Sequence, residues 1–280
     1  MDVNTEKLAE QITKEACVRL GVTDSGPIAR GMVLQPGTEV TAKEIAKMID
    51  HSLLRPELTR QEVIEGCFLA KELECATVCV KPCDVETAKD ILKDTDVLVT
   101  TVIGFPHGSS LTEVKALESE IAIKQGCEEL DMVLNIGRLK SGDYELIEND
   151  IRAVCDVAHR RGAIVKVIFE NFYLTDAEKI KACEICEKAG ADFVKTSTGF
   201  AKGGATIHDL KIMRSSCSDK IRIKAAGGVR TLDSALAVRA VGGVRFGATA
   251  TKKIIEDARL QEKEGTLKIP ATIKELAIAD

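Results

Sequence analysis

The 280-residue chain contains no tryptophan, two tyrosines and seven phenylalanines, so it offers no obvious aromatic anchor for a protein interface. No apolar run approaches the roughly 18 residues of a membrane-spanning helix. The first ten residues are polar and acidic and lack the hydrophobic stretch of a secretory leader. A basic excess is missing as well. Thirty-nine Lys and Arg face 44 Asp and Glu, for a formal net charge of -5. That balance argues against a nucleic-acid partner or an anionic membrane surface, while leaving room for a local basic pocket. His51 adjoins Asp50, but no Ser or Cys nucleophile follows an elbow pattern, which argues against a hydrolytic triad. A cytosolic location is the default expectation.

Cysteine, by contrast, is plentiful, with ten residues. Most fall inside helix-like or strand-like runs, among them Cys67, Cys127, Cys155 and Cys183, where free cysteine behaves as a small buried hydrophobe. Cys183 and Cys186 form a C-x-x-C and Cys79 lies four residues before Cys83. Neither has a second pair at zinc-binding spacing. The expectation is core packing in a reducing compartment, with no metal site.

Residues 1–40 differ from the rest and read as an N-terminal extension: a helix over Glu6–Leu20, then a turn-rich stretch from Gly21 to Gly37. From Thr41 to Asp280 strand and helix patterns alternate. Strands are expected at 49–54, 77–80, 97–103, 129–135, 164–170, 193–197, 221–225 and 244–248. Helices are expected at 59–73, 85–92, 111–125, 144–160, 176–189, 206–216, 231–241 and 251–264. Such alternation implies parallel βαβ units. Eight of them close into a (β/α)8 TIM barrel, which typically needs about 250 residues. An open doubly wound sheet is the alternative.

A weak internal repeat supports the units. Lys124–Asp131 parallels Lys188–Lys195, each with a glycine that ends a helix shortly before a strand begins. Asp131 and Lys195 both lie five residues past that glycine, so they are expected to point the same way. Lys166 lies four residues past Gly162, which predicts a different register.

Three lysines carry the chemistry. Lys166, Lys195 and Lys224 each sit in an apolar strand-like run. Lysine is rarely buried without a partner. In a low-dielectric site or beside another cation its pKa falls, and the neutral amine can attack a carbonyl to form a Schiff base. On residue type alone the three are equal candidates, and a salt-bridged core lysine remains the alternative for each. Asp131 adds a carboxylate. Barrel active sites lie at the C-terminal strand ends, where Gly199, Gly227, Gly228 and Gly247 follow the last three strands. Backbone N–H groups there can meet an anion, so the ligand class is a small phosphorylated carbonyl compound.

The segments Ile49–Leu54, Gly104–Gly108, Glu129–Val133, Phe193–Gly199, Lys224–Arg230 and Arg245–Ala248 occur in order between Thr41 and Asp257, and together they resemble the deoxyribose-phosphate aldolase family. The resemblance implies a class I aldolase on a barrel, with Lys195 as the Schiff-base lysine and Lys224 as the second active-site lysine. Asp131 becomes the proton-relaying carboxylate and Lys166 a supporting charge expected to pair with Asp131. Gly199, Gly227, Gly228, Gly247 and Thr249 are implied to bind the phosphate. The implied reaction is reversible cleavage of 2-deoxy-D-ribose 5-phosphate to acetaldehyde and D-glyceraldehyde 3-phosphate, with no metal or organic cofactor. The expected partner is the small phosphorylated sugar, with a homo-oligomer, a dimer first, as the assembly.

The chain departs from the family pattern at several positions. Ala250 removes one hydroxyl donor beside Thr249, and Phe200 stands where some members have a lysine, a charge that Lys202 could replace. Ser52 stands for a threonine and keeps its hydroxyl. Another Schiff-base aldolase and a non-enzymatic sugar-phosphate binder are the competing readings.

Overall fold

A computed structural model describes residues 31–276. The expected helix at Glu6–Leu20 lies outside the described residues. Eight parallel strands close into a barrel in sequence order: β1 (Ile49–Leu53), β2 (Thr77–Val80), β3 (Leu98–Ile103), β4 (Glu129–Val133), β5 (Ile164–Ile168), β6 (Phe193–Lys195), β7 (Arg222–Ala225) and β8 (Gly243–Ala248). β1 pairs with both β2 and β8, so the sheet has no edge and the open-sheet alternative is excluded.

Around it run α1 (Ala42–Ala46), α2 (Arg60–Glu72), α3 (Val85–Leu92), α4 (Thr112–Lys124), α5 (Ile136–Lys140), α6 (Tyr144–His159), α7 (Asp176–Ala189), α8 (Ile207–Ser215), α9 (Leu232–Ala240) and α10 (Thr251–Lys263). The local sequence explains several boundaries. Thr59 with Glu62, and Thr175 with Glu178, form reciprocal capping boxes at the starts of α2 and α7. Gly190 ends α7 in the left-handed conformation, φ 88°. The two short helices α1 and α5 were not expected, although Thr41 and Glu44 form a capping box at α1 that the sequence already carries.

β6 is shorter than the expected 193–197. The side chain of Thr196 adds to the pairing there: its hydroxyl donates to the Ala226 carbonyl at 3.2 Å and accepts from the Ala226 N–H at 3.0 Å. The Thr196 backbone stays paired, its N–H donating to the Lys224 carbonyl at 3.1 Å and its carbonyl accepting from the Asn171 N–H at 2.9 Å, and the chain turns away beyond it.

The main core lies between the barrel and its helices, where Val63, Val99, Leu130, Ile151, Val194 and Ile254 are fully buried. One ion pair sits within it. Lys115 of α4 donates to Asp150 of α6 at 2.5 Å and to the Val133 carbonyl at 2.9 Å, so the buried ammonium is held by two acceptors, while Asp150 Oδ1 has no partner among the described residues. Residues assigned to the leading segment also contact the barrel. The N–H groups of Leu34, Gly37 and Val40 donate to the carbonyls of Ala240, Ile269 and Leu267. No helix among the described residues is long and apolar enough to cross a membrane.

Candidate active site

Asp131, Lys166, Lys195, Lys224 and Arg245 are each the third residue of their strand, β4 to β8 respectively, and Asp50 is the second residue of β1. All six, with Glu129 at the start of β4, are buried, and hydrogen bonds join their side chains inside the barrel. The expected difference in register for Lys166 is therefore corrected. β5 begins two residues after Gly162, whereas β4 and β6 begin three residues after Gly126 and Gly190, so the shorter loop absorbs the offset.

Asp131 is the hub. Its Oδ2 accepts from Lys195 Nζ and from Lys224 Nζ, both at 2.7 Å, and its Oδ1 accepts from Lys166 Nζ at 2.7 Å. Lys224 also donates to Asp50 Oδ2. Lys166 reaches Glu129 Oε2 at 2.5 Å. Arg245 spans from Asp50 Oδ1 at 2.7 Å to Glu129 Oε1 at 3.0 Å. β4 and β8 lie on opposite sides of the closed barrel, so the Arg245–Glu129 pair is a strut across it.

Counting charges sorts the lysines. Three carboxylates, Asp50, Glu129 and Asp131, share this space with four basic groups, Lys166, Lys195, Lys224 and Arg245. Balance at low dielectric is reached when one basic group is neutral. Burial opposes charge on every lysine here. At Lys166 the carboxylates of Asp131, Glu129 and Asp50 outweigh burial and its pKa rises. At Lys224 Asp131 and Asp50 do the same. At Lys195 burial prevails, with the Lys224 ammonium adding to it against the pull of Asp131, and the pKa falls below the ordinary lysine value. Burial would raise Asp131, but Lys166, Lys195 and Lys224 hold it well below the usual carboxylate range.

Above the network a cavity of about 330 Å³ opens toward the C-terminal strand ends. Lys195, Lys224 and Asp50 reach it from the floor, together with Cys79, whose thiol is pushed up to about 11, chiefly by burial. Ser52, Gly199, Gly227, Gly228, Gly247 and Thr249, all singled out in the sequence, line its wall. Asp131 and Lys166 lie beneath the floor and do not line it. Phe200 lines the cavity and meets Phe105 edge-on at 5.2 Å. Lys202 is exposed and off the wall, whereas Arg55 and Arg230 line it.

Two glycine loops meet at the wall. A Cβ on Gly204 would lie 2.8 Å from the Gly227 carbonyl carbon, so the backbones touch only because both residues lack side chains. The Ala205 N–H donates to the carbonyls of Ala226 and Gly227, both at 3.0 Å. On the other side, α10 begins without a side-chain cap at Ala250, leaving its first N–H groups to an outside acceptor.

Sequence reasoning missed Asp50, Glu129 and Arg245 as network members, and Arg55 and Arg230 as wall residues. Asp50 and Arg245 carried the signal that marked the lysines, a lone charge in an apolar strand. Away from the site, nine cysteines among the described residues are free, Cys183 and Cys186 buried among them. His107 is exposed, and His159 and His208 pair with Asp192 and Asp176 at the surface. Among the described residues no group of three or more His, Cys, Asp or Glu is placed to hold a metal ion.

The fold and site define a (β/α)8 barrel with a buried lysine pair at the floor of a cavity walled by glycine loops. The family model described as DeoC/LacD family aldolase matches residues 43–256. A deoxyribose-phosphate aldolase of Caldanaerobacter subterraneus subsp. tengcongensis is 49% identical over 224 residues, 80% of this chain and 97% of that protein. One from Thermococcus gammatolerans is 50% identical over 221 residues, 78% and 98% of the two chains. Among solved structures, an aldolase designated QR15 superposes with a TM-score of 0.75 at 37% identity, covering 79% of this chain and 98% of its own. A deoxyribose phosphate aldolase from Aeropyrum pernix, described as tetrameric, gives 0.70 at 27% identity over 89% and 97%. The chain belongs to the DeoC/LacD aldolase family.

Proposed function

We propose that this chain is a class I deoxyribose-phosphate aldolase that cleaves 2-deoxy-D-ribose 5-phosphate reversibly, with Lys195 as its nucleophile. The observation that carries the assignment of Lys195 is its sharing of one Asp131 oxygen with Lys224: two amines at 2.7 Å from the same atom, the pKa of Lys195 lowered and that of Lys224 raised by their surroundings.

Neutral Lys195 attacks the C1 aldehyde of the open-chain sugar, and loss of water gives the protonated imine. The C3 hydroxyl then gives up its proton, C3 becomes an aldehyde, and the C2–C3 bonding pair flows into the imine. Glyceraldehyde 3-phosphate leaves and an enamine stays on Lys195. Protonation at C2 and hydrolysis of the imine release acetaldehyde and restore the amine. Lys224 and Asp131 move the protons, Lys224 as the charged neighbour and Asp131 as the carboxylate that both amines contact. Lys166 and Arg245 hold the carboxylates in place from below. The phosphate is received by the backbone of Gly199, Gly227, Gly228 and Gly247, the Thr249 hydroxyl and the uncapped start of α10, with Arg55 and Arg230 supplying charge at the mouth.

The same reading covers assembly and setting. Leu111, the residue before α4, and Val114, Leu117 and Ile121 on it form an exposed apolar stripe, which supports a homo-oligomer, a dimer first, detectable by sedimentation. The free cysteines favour a reducing, cytosolic setting.

Borohydride trapping with 2-deoxyribose 5-phosphate, followed by peptide mapping, tests the chemistry. A reduced adduct on Lys195 is expected. An adduct on Lys166 or Lys224 would overturn the residue assignment. A folded protein that binds the sugar and yields no adduct would overturn the aldolase reading.

A further inference from the structure

Glu170 is a buried carboxyl that the proposed chemistry does not use. It follows β5 by two residues, is 2% exposed, and holds the left-handed backbone conformation, φ 55° and ψ 65°, which a residue with a side chain adopts only under constraint. It forms no ion pair among the described residues. Its Oε2 accepts from the Thr198 N–H at 3.1 Å and from the Thr198 hydroxyl, and that hydroxyl in turn accepts from the Phe200 N–H at 3.0 Å. Its Oε1 has no partner.

The backbone on either side shows what this side chain replaces. The Phe169 N–H donates to the Lys195 carbonyl at 3.0 Å and the Asn171 N–H to the Thr196 carbonyl at 2.9 Å. Ladder bonds tie the two segments together as far as Thr196. Beyond it the chain turns into the cavity wall, and the Glu170 side chain bonds Thr198 from the β5 side. Thr198, Gly199 and Phe200 all line the cavity, and Thr198 stands three residues after Lys195.

We propose that Glu170 is a positioning residue: its carboxyl clasps the Thr198–Gly199–Phe200 turn in the shape that receives the phosphorylated end of the substrate. The inference rests on the proposed aldolase reading and adds a residue to it. Burial, opposed by the Thr198 bonds, raises the Glu170 pKa. A neutral carboxyl presents the same acceptor oxygen to Thr198, so an amide in its place keeps the clasp, whereas a methyl group loses it. The clasp acts on the outer part of the cavity, and the Lys195 amine feels the Glu170 carboxyl only as a minor charge contribution, without a hydrogen bond between them.

The test compares Glu170→Ala and Glu170→Gln with wild type in two assays: steady-state cleavage of 2-deoxyribose 5-phosphate, and borohydride trapping of acetaldehyde, which has no phosphate, read at Lys195 by peptide mapping. Glu170→Ala is expected to raise KM about tenfold, the equivalent of one lost hydrogen bond, while acetaldehyde trapping stays within about twofold. Glu170→Gln should recover most of the KM. An unchanged KM in Glu170→Ala, an equal fall in both assays, or no recovery in Glu170→Gln would each overturn the proposal. If Glu170→Ala does not fold, Thr198→Val removes the hydroxyl from the other side, and an unchanged KM there overturns it equally. A wild-type protein that does not cleave the sugar refutes the aldolase reading; a wild type that cleaves it, with no KM effect in the variants, refutes the clasp alone.

Discussion

At the residue scale, two lysines of one kind are made different by their neighbours. Lys224 has two carboxylates within reach and Lys195 has one. The neutral amine is the reactive form, so the rate should rise with pH as Lys195 loses its proton. Replacing Lys224 by Met removes a cation that lowers the Lys195 pKa, and the rising limb of the pH–rate profile should move to higher pH by about one pH unit. The maximal rate should also fall, by about 10²- to 10⁴-fold, as a proton-transfer group is lost. A profile whose limb stays in place while the rate falls would assign Lys224 to proton transfer alone.

At the scale of elements, the wall of the cavity is two loops pressed together at Gly204 and Gly227. Gly204→Ala places a methyl group against backbone rather than against a side chain that could swing away. Separation of the loops should raise KM for the phosphorylated substrate and cost about 1–3 kcal/mol in urea unfolding. Strands and helices were largely legible because charged and apolar residues repeat with their own periods. All eight long helices start within a residue of the expected position, and β1, β4, β5 and β6 end one or two residues early. Lys166 shows where the sequence was silent. Its register depended on a loop shorter by one residue, and loop length does not announce which way a strand will face. Glu129 was hidden for a different reason, since an acidic residue at a strand start looks like a solvated end.

At the scale of the whole molecule, the charges inside the barrel act as one body. Arg245 on β8 and Glu129 on β4 meet although they are 116 residues apart. Arg245→Met leaves Glu129 and Asp50 short of a cation and should cost about 3 kcal/mol or more. Adding Glu129→Gln removes one of the exposed debts of charge, so the double variant should be more stable than the sum of the single losses. A double-mutant cycle in urea measures this directly, and strict additivity would show the strut to be two independent contacts. The three lysines were legible as a group from the sequence. Their anionic partners were less so, because a closed barrel brings together strands that no local pattern connects.

The barrel floor is filled by Lys166, Glu129 and Arg245, and the cavity lies above it. The site is thus a blind alley, and in a blind alley traffic leaves in the reverse of the order in which it is parked. The fragment tethered to Lys195 stands at the closed end and the phosphorylated fragment stands between it and the street. On the proposed chemistry glyceraldehyde 3-phosphate must depart first, and acetaldehyde last.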